Sequence, residues 1–253
     1  MSEDTAFEVG RLYGPLRAIS DTLAASQKDI FVRLPGLVAY YPMGIRGNSW
    51  AIEHGGIGYH LFQAGTCPTG YDGNSFVHLG SGVNYLWNDQ SAFGITGLET
   101  WISSSLRGLT LGGWFMIDST PTTASGLISK DRPSPDLGYV LNWSTTNTVG
   151  FYVSGNGASQ FGVVSASLEV GRWHFVTSRF TPSAEVAVFA NGDKSTNTTA
   201  IPASINVSTQ DFEIGRYFND DNRIIHAKAR DVFVCAAALS DQLIEEIRVS
   251  SVP

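Results

Sequence analysis

Residues 172–192 read RWHFVTSRFTPSAEVAVFANG, and this stretch decides the fold class. Aromatic and β-branched residues recur with a period close to two over 172–180 and again over 184–191. A period of two is typical of β-strands with one buried face. Asn191-Gly192 then supplies residues that adopt positive φ readily, as a tight hairpin requires. The stretch therefore predicts two strands and a turn.

The same pattern continues on both sides, from about Gly36 to the C-terminus. Short runs rich in β-branched and aromatic residues alternate with turn residues such as Asp72-Gly73. Ser240 is a candidate N-cap of a short final helix over 240–248. Many short strands at close spacing predict an all-β jelly-roll sandwich. The predicted strands are 37–42, 74–79, 109–117, 125–130, 137–143, 148–154, 160–166, 172–180, 184–191, 210–215 and 227–235.

The first 34 residues have a different pattern. Apolar residues repeat with alternating spacings of three and four, which is the pattern of a helix seam: Val9, Leu12, Leu16, Ile19 and Leu23. Pro15 suits the first position of a helix over about 15–28. Such a helix either packs on its own sandwich or serves oligomerisation or docking. The predicted domains are a helical arm over 1–34 and a β-sandwich over 35–253.

Composition restricts the partners and the location. Only 15% of the 253 residues are charged, the net charge is −7, and Lys and Arg form no run. A nucleic-acid site would need a basic surface, so nucleic acid is excluded as a partner. No apolar stretch is long enough to span a bilayer, and the acidic start is unlike a signal peptide. We expect Cys67 and Cys235 to be isolated thiols rather than a disulfide.

An ordered set of motifs resembles the laminin-G-like, concanavalin A-like jelly-roll family. LTLGGWF at 109–115 is similar to the family's "FTISAWV" strand, and VGRWHFV at 170–176 to "GQWYHVA". AVFANG at 187–192 resembles "LYVNG", and ARDVFV at 229–234 resembles the "DDVRIY" strand. The resemblance covers about 37–248 and implies a concanavalin A-like sandwich. Trp114 and Trp173, in alternating strands, are expected to lie in its core.

The resemblance also raises hydrolysis, because the fold is shared with β-glucanases. Those relatives carry a Glu-x-Asp-x-x-Glu motif, and retaining hydrolysis needs two carboxyls about 5–5.5 Å apart. This sequence lacks the motif, and its strand carboxylates are solitary: Asp118, Glu185, Glu213 and Asp231. The histidines show no metal-binding spacing. We therefore predict a non-catalytic protein, with a β-glucanase-like hydrolase as the disfavoured alternative.

Calcium is the one cofactor that the resemblance implies; the alternative is none. Relatives hold the ion with a late Asp and backbone carbonyls, and oxygen ligands suit Ca²⁺. Asp231 matches the second Asp of the family's "DDV", whereas Arg230 replaces the first. Asp72, in a turn that resembles "FDG", is the second candidate. The alternative roles are a hydrogen bond at a strand start for Asp231 and turn stabilisation for Asp72.

Carbohydrate binding would combine an aromatic platform with Asn and Asp side chains. Two segments carry that chemistry, 85–89 and 217–223, and Trp143 is a third candidate. The alternative is a polar surface loop with a packed aromatic residue, and Asp220-Asp221-Asn222 equally suits a surface Ca²⁺ loop. The candidate sugar-binding residues are Tyr85, Trp87, Trp143, Tyr217, Asn219 and Asp221.

Two functions are consistent with these features. The first is a phage virion component, for capsid decoration or tail association, whose arm binds copies of itself or other virion proteins. The second is a free extracellular carbohydrate-binding module that uses Trp87 or Tyr217. Surface glycans are expected partners, and the expected location is the virion or the extracellular space without a signal peptide.

Overall fold

The computed structural model describes residues 30–31, 33–41, 62–64, 69–71, 75–80, 85–88, 108–218 and 220–252. For 62–64, 69–71, 75–78 and 85–88 the description covers the backbone alone. Several predictions fall outside this range: the helix over 15–28, the residues Cys67, Asp72 and Asn219, and the apolar repeat of Val9, Leu12, Leu16, Ile19 and Leu23.

Two antiparallel sheets form the molecule. The strands are β1 (Leu37–Tyr41), β2 (Phe62–Ala64), β3 (Thr69–Tyr71), β4 (Ser75–Leu79), β5 (Tyr85–Asn88), β6 (Leu109–Ile117), β7 (Ser125–Lys130), β8 (Tyr139–Trp143), β9 (Thr148–Val153), β10 (Phe161–Ser167), β11 (Trp173–Thr181), β12 (Glu185–Ala190), β13 (Asp193–Asn197), β14 (Phe212–Ile214) and β15 (Ala227–Cys235). The eight-stranded sheet has the order β13-β12-β11-β6-β15-β4-β3 with β1 paired to β15, and the seven-stranded sheet has the order β10-β9-β8-β7-β14-β5-β2. The predicted all-β sandwich is confirmed.

The main core lies between the two sheets. Alternate residues of β6, such as Leu111 and Phe115, point into it from the eight-stranded sheet. Leu141, Trp143 and Phe151 point into it from β8 and β9 of the seven-stranded sheet. Because side chains alternate along a strand, the residues between them lie on the outer faces of the two sheets.

A second apolar cluster covers the outer face of the eight-stranded sheet. Trp114, Phe175 and Phe233 lie on that face and are buried by two further segments. One segment is helix α1 (Asp241–Ser250), which contributes Ile244 and Ile247. The other is the short stretch that precedes β1, which contributes Phe31 and Leu34. The eight-stranded sheet is therefore packed on both of its faces.

Helix α1 begins where the sequence predicts. The Ser240 hydroxyl accepts a hydrogen bond from the Leu243 amide (3.2 Å), which confirms Ser240 as the N-cap. The Arg179 guanidinium donates to the Leu239 carbonyl and to Asp241 Oδ1, each at 2.6 Å. These bonds fix the start of the helix to the sheet. No helix in the part of the chain that the structure describes is long and apolar enough to cross a membrane.

The structure adds detail to three predictions. Trp114 is 5% exposed and its Nε1 donates to Ser251 Oγ (2.8 Å), but it belongs to the outer cluster and not to the layer between the sheets. Trp173 is partly buried against the same cluster. Cys235 is a buried free thiol, as its apolar strand suggests. Burial raises its pKa well above the ordinary range.

Candidate functional site

A tyrosine on the outer face of the seven-stranded sheet lies flat against the strands. Phe151 and Val153 point into the core, so Tyr152 between them points outward. A Cβ added at Gly162 would lie 2.2 Å from Tyr152 Cδ1, and one added at Gly150 would lie 2.5 Å from Cε2. The ring therefore rests on two glycines, where no side chain competes for the space. It is partly exposed.

Asn142 lies next to the hydroxyl end of this ring. It pairs in register with Gly150, which places Asn142 on the same outer face as Tyr152. The Cβ position at Gly150 is 2.7 Å from Asn142 Oδ1 and 3.1 Å from the Tyr152 hydroxyl. An amide and a hydroxyl thus converge beside an aromatic face. Asn142 is almost completely buried, so the partly exposed surface of this pair belongs to Tyr152, whose ring suits the apolar face of a sugar.

The connection that follows β14 brings two more aromatic rings. The Tyr217 and Phe218 rings have centroids 3.7 Å apart, and the Arg223 guanidinium lies 5.2 Å and 5.0 Å from them. The Asp220 carboxylate accepts from the Asn222 amide (2.9 Å) and caps a 3-10 helix over Asp221–Arg223. Tyr217 is buried, whereas Phe218 is partly exposed.

Buried ion pairs hold this connection to the sheet. The Arg216 guanidinium is bonded to Glu213 of β14 and, at 3.2 Å, to Asp221. Glu213 and Arg216 are both almost completely buried. Removing one partner of such a pair leaves an uncompensated buried charge, so the loop has a fixed position.

Asp131 and Gln160 connect the segment 217–223 to the seven-stranded sheet. Asp131 Oδ1 accepts from the Gly138 amide and Oδ2 accepts from Gln160 Nε2, each at 2.7 Å. Burial raises the pKa of Asp131 to about 6, although these hydrogen bonds oppose the shift. Burial and the Asp131 charge raise the pKa of Tyr217, and Tyr152 adds to the shift. We call this group the outer-face site: Asn142, Tyr152, Gln160, Tyr217, Phe218 and Arg223.

The structure brings some of the predicted sugar-binding residues together. Tyr217 lies in the outer-face site, and Asp221 is exposed at its edge and bonded to Arg216. Trp143 is fully buried in the core, with Nε1 donating to Asn147 Oδ1 (3.2 Å), so its ring offers no surface to a ligand.

The remaining candidates can be placed less fully. Tyr85 and Trp87 belong to β5, where Trp87 pairs in register with Glu213 of β14. Their side chains and the whole of Asn219 lie outside the described part of the structure. Sequence reasoning missed Asn142, Tyr152 and Gln160. The signal for Tyr152 was its position between Gly150 and Gly162, which becomes informative once the pairing of β9 with β10 is known.

The setting of Asp231 does not suit calcium. Asp231 Oδ1 accepts a hydrogen bond from the Tyr40 hydroxyl (2.6 Å), and Oδ2 lies 3.5 Å from Arg230 Nε. Ca²⁺ takes six to eight oxygen ligands, and a neighbouring guanidinium repels it. No group of three or more His, Cys, Asp or Glu suited to a metal occurs in the described parts of the chain.

Two of the carboxylates that the sequence singled out, Glu185 and Glu213, are held by cations. Arg179 and Lys194 bond to Glu185 and lower its pKa, although burial opposes them. Glu213 is paired with Arg216. A general acid in glycoside hydrolysis needs a raised pKa, which is the opposite of the shift at Glu185.

A protein-family comparison agrees with this architecture. The laminin-G family model described as "Concanavalin A-like lectin/glucanases superfamily" matches residues 97–245, more than half of the chain. The chain belongs to this superfamily. The matched range contains the whole outer-face site and runs into helix α1. No curated protein matches the sequence.

Similar solved structures include binding domains of botulinum neurotoxins. One is the binding domain of botulinum neurotoxin DC in complex with rat synaptotagmin II, with 16% identity and a TM-score of 0.65 over 85% of this chain and 52% of that one. Another is the same domain in complex with SialylT, with 15% identity and a TM-score of 0.65 over 85% and 51%.

A third structure concerns botulinum neurotoxin type C, whose cell entry is dependent upon interaction with two ganglioside molecules. It has 16% identity and a TM-score of 0.65 over 85% of this chain and 51% of that one. The chain spans about half the length of these structures. At such identity the likeness shows the shared concanavalin A-like fold alone.

Proposed function

We propose that this chain is a non-catalytic, lectin-like binding protein that recognises glycans through the outer-face site. The observation that carries the proposal is the Tyr152 ring, held flat over Gly150 and Gly162 beside the Asn142 amide. Stacking on a fixed ring costs little side-chain entropy, and the partly exposed Gln160 supplies donors and acceptors for hydroxyls. Phe218 and Arg223 form the rim on the loop side.

Two further facts support a glycan as the partner. Among the similar structures, one neurotoxin domain is in complex with SialylT and another belongs to a toxin that depends on gangliosides. The superfamily itself includes lectins. We therefore propose surface glycans as partners and an extracellular or particle-borne location.

Glycan-array screening, followed by calorimetry with the best ligand, tests the proposal. Tyr152→Ala should weaken binding at least tenfold, because aromatic stacking is lost. Gly150→Ala should have a similar effect without removing a ring, since its Cβ would displace the side chains of Tyr152 and Asn142.

Trp173→Phe is the matched control, because Trp173 is also a partly buried aromatic residue but lies on the other sheet. It should bind like the wild type. Circular dichroism and thermal unfolding establish that each variant is folded. If folded Tyr152→Ala and Gly150→Ala bind the same glycan as tightly as the wild type, the outer-face site is the wrong site.

We propose a virion component, for capsid decoration or tail association, as the second candidate function. The specific observation is that Phe31 and Leu34 are buried against the outer face of the eight-stranded sheet. The outer-face site lies on the opposite side of the sandwich. If the residues before 30 bound to the particle, the outer-face site would therefore face away from it.

Light scattering of the full chain beside a truncated chain that begins at Asp29 tests the arm. This start keeps Phe31 and Leu34, which a chain beginning at residue 35 would lose. An oligomer that becomes a monomer on truncation supports assembly through 1–34. If both are monomers, self-association through the arm is excluded and docking on another virion protein becomes the next test.

Calcium binding at Asp72 stays a prediction. Thermal unfolding in millimolar Ca²⁺ and in excess chelator tests it, since an ion that binds the folded state alone raises the midpoint by mass action. Identical midpoints in the two conditions, with Asp72→Asn unchanged, would contradict it.

A further inference from the structure

We infer that Asp131 is a pH-sensitive positioning residue, which sets the arrangement of Gln160 and Tyr217 on the outer face of the seven-stranded sheet. Its effect on ligand binding rests on the proposed function. Its effect on Gln160 and Tyr217 does not, because those contacts exist within the chain.

The first step is the orientation of the Gln160 amide. An ionised carboxylate only accepts hydrogen bonds, so the group of Gln160 that faces Asp131 Oδ2 at 2.7 Å is the NH₂. Asp131 Oδ1 is occupied by the Gly138 amide at 2.7 Å. Because Asp131 is 2% exposed, water does not readily replace either partner. The carboxylate therefore decides which end of the Gln160 amide is left for the outer face.

The second step links Gln160 to the aromatic loop. The Gln160 side chain is hydrogen-bonded to the Tyr217 hydroxyl. The Asp131 charge also acts on this hydroxyl and raises its pKa. Tyr217 in turn is packed on Phe218 and covered by Arg223. A change in the protonation of Asp131 therefore affects the Tyr217 ring through the Gln160 amide.

The third step is protonation. Protonated Asp131 carries a donor on one oxygen, and a donor facing the Gln160 NH₂ is unfavourable, so the amide must turn or move away. The pKa of about 6 places this event in the mildly acidic range, and burial is its main cause. Several other charged or titratable groups surround the carboxyl or its relay: Lys130, Arg132, Asp136, Tyr152, Tyr217 and Arg223.

Two of these neighbours, Asp136 and Tyr217, have pKa values shifted away from this range. Lys130 is buried and donates to the Ser208 carbonyl (2.6 Å). Hydrogen bonds from Thr209 and Gln210 lower the pKa of Asp136, although burial opposes them. The pKa of Tyr217 is raised away from neutrality. A transition with a midpoint near 6 on this face is therefore assigned to Asp131.

The test begins with the full-length free protein. The side-chain amide signal of Gln160 and the ring signals of Tyr217, followed by NMR between pH 4.5 and 8, should shift with a common midpoint near 6. Asp131→Asn should abolish the transition, and Asp136→Asn should preserve it with a slightly lower midpoint. Gln160 and Tyr217 signals that stay constant, or that titrate equally in Asp131→Asn, would overturn the inference. The wild-type titration decides the matter even if Asp131→Asn does not fold.

Binding of the best glycan from the array is then measured at pH 7.5 and pH 5. With a pKa of about 6, roughly a tenth of Asp131 is ionised at pH 5, so the affinity should fall about tenfold. Asp131→Asn should be equally weak at both values. If the signals titrate but no glycan binds at either pH, the relay stands and the proposed function fails. If a glycan binds with the same affinity at both pH values, Asp131 does not position the site.

Discussion

Phe31 provides the sharpest test of how the segment before β1 contributes to the fold. The Phe31 ring is fully buried, stacks on Tyr40 with centroids 4.2 Å apart and lies 5.7 Å from Phe233. Replacing a buried Phe by Ala removes its apolar contacts and leaves a cavity, at a cost of about 3–5 kcal/mol. For a protein of this size that corresponds to a fall in Tm on the order of 10 °C. We expect Phe31→Ala to show this loss in thermal and urea unfolding.

Phe31→Leu is the matched control. It keeps most of the buried volume and loses the stacking contact, so its cost should be closer to about 1 kcal/mol. A truncated chain that begins at residue 35 should lose at least as much stability as Phe31→Ala, whereas one that begins at Asp29 should keep it. A change of less than about 1 kcal/mol in Phe31→Ala would refute the view that this segment is part of the packed sandwich.

Three further predictions concern buried groups. Asp131 has its pKa raised from 3.8 to about 6, so the folded state takes up a proton that the unfolded chain does not; stability should rise by about 2 kcal/mol, relative to Asp131→Asn, as the pH falls from 8 to 4.5 in urea unfolding. Cys235 should stay unmodified by a thiol reagent in the native protein, as peptide mass mapping would show, because burial raises the pKa of its thiol. Arg179→Met should lower stability by about 3 kcal/mol in the same unfolding assay, since it removes the buried guanidinium that bonds Glu185 and the Leu239 carbonyl. A Lys194→Met control, at a more exposed pair, should cost under about 1 kcal/mol.

The sequence predicts the strands with strong apolar alternation well. The predicted ranges 109–117, 125–130 and 227–235 match β6, β7 and β15, and the final helix starts at the predicted cap. Strand β13 was missed because DKSTN has no apolar residue. Its strand conformation comes from pairing with β12 after the Asn191-Gly192 turn, which composition alone does not reveal. The short strands β2, β3 and β5 were missed as well.

The outer-face site was only partly predictable. The segment 217–223 stands out by its aromatic and acidic residues, and Tyr217 does lie in the site. Tyr152, in contrast, looks like any strand tyrosine, because its platform depends on a glycine of the same strand and one of the neighbouring strand. Trp143 illustrates the reverse case. A tryptophan next to Asn looks suitable for a sugar, but the phase of β8 points it into the core.

The two outer faces of the sandwich differ in the side chains that cover them. Helix α1 and the segment with Phe31 cover the eight-stranded sheet with apolar side chains. The seven-stranded sheet carries small residues at Gly150 and Gly162, so that its outer face accepts a flat ring in place of a covering helix. Strands β7 and β8 are buried along their whole length, so the partly exposed area of this face lies on β9 and β10, around Tyr152. We therefore expect a ligand of this chain to bind at this part of the seven-stranded sheet.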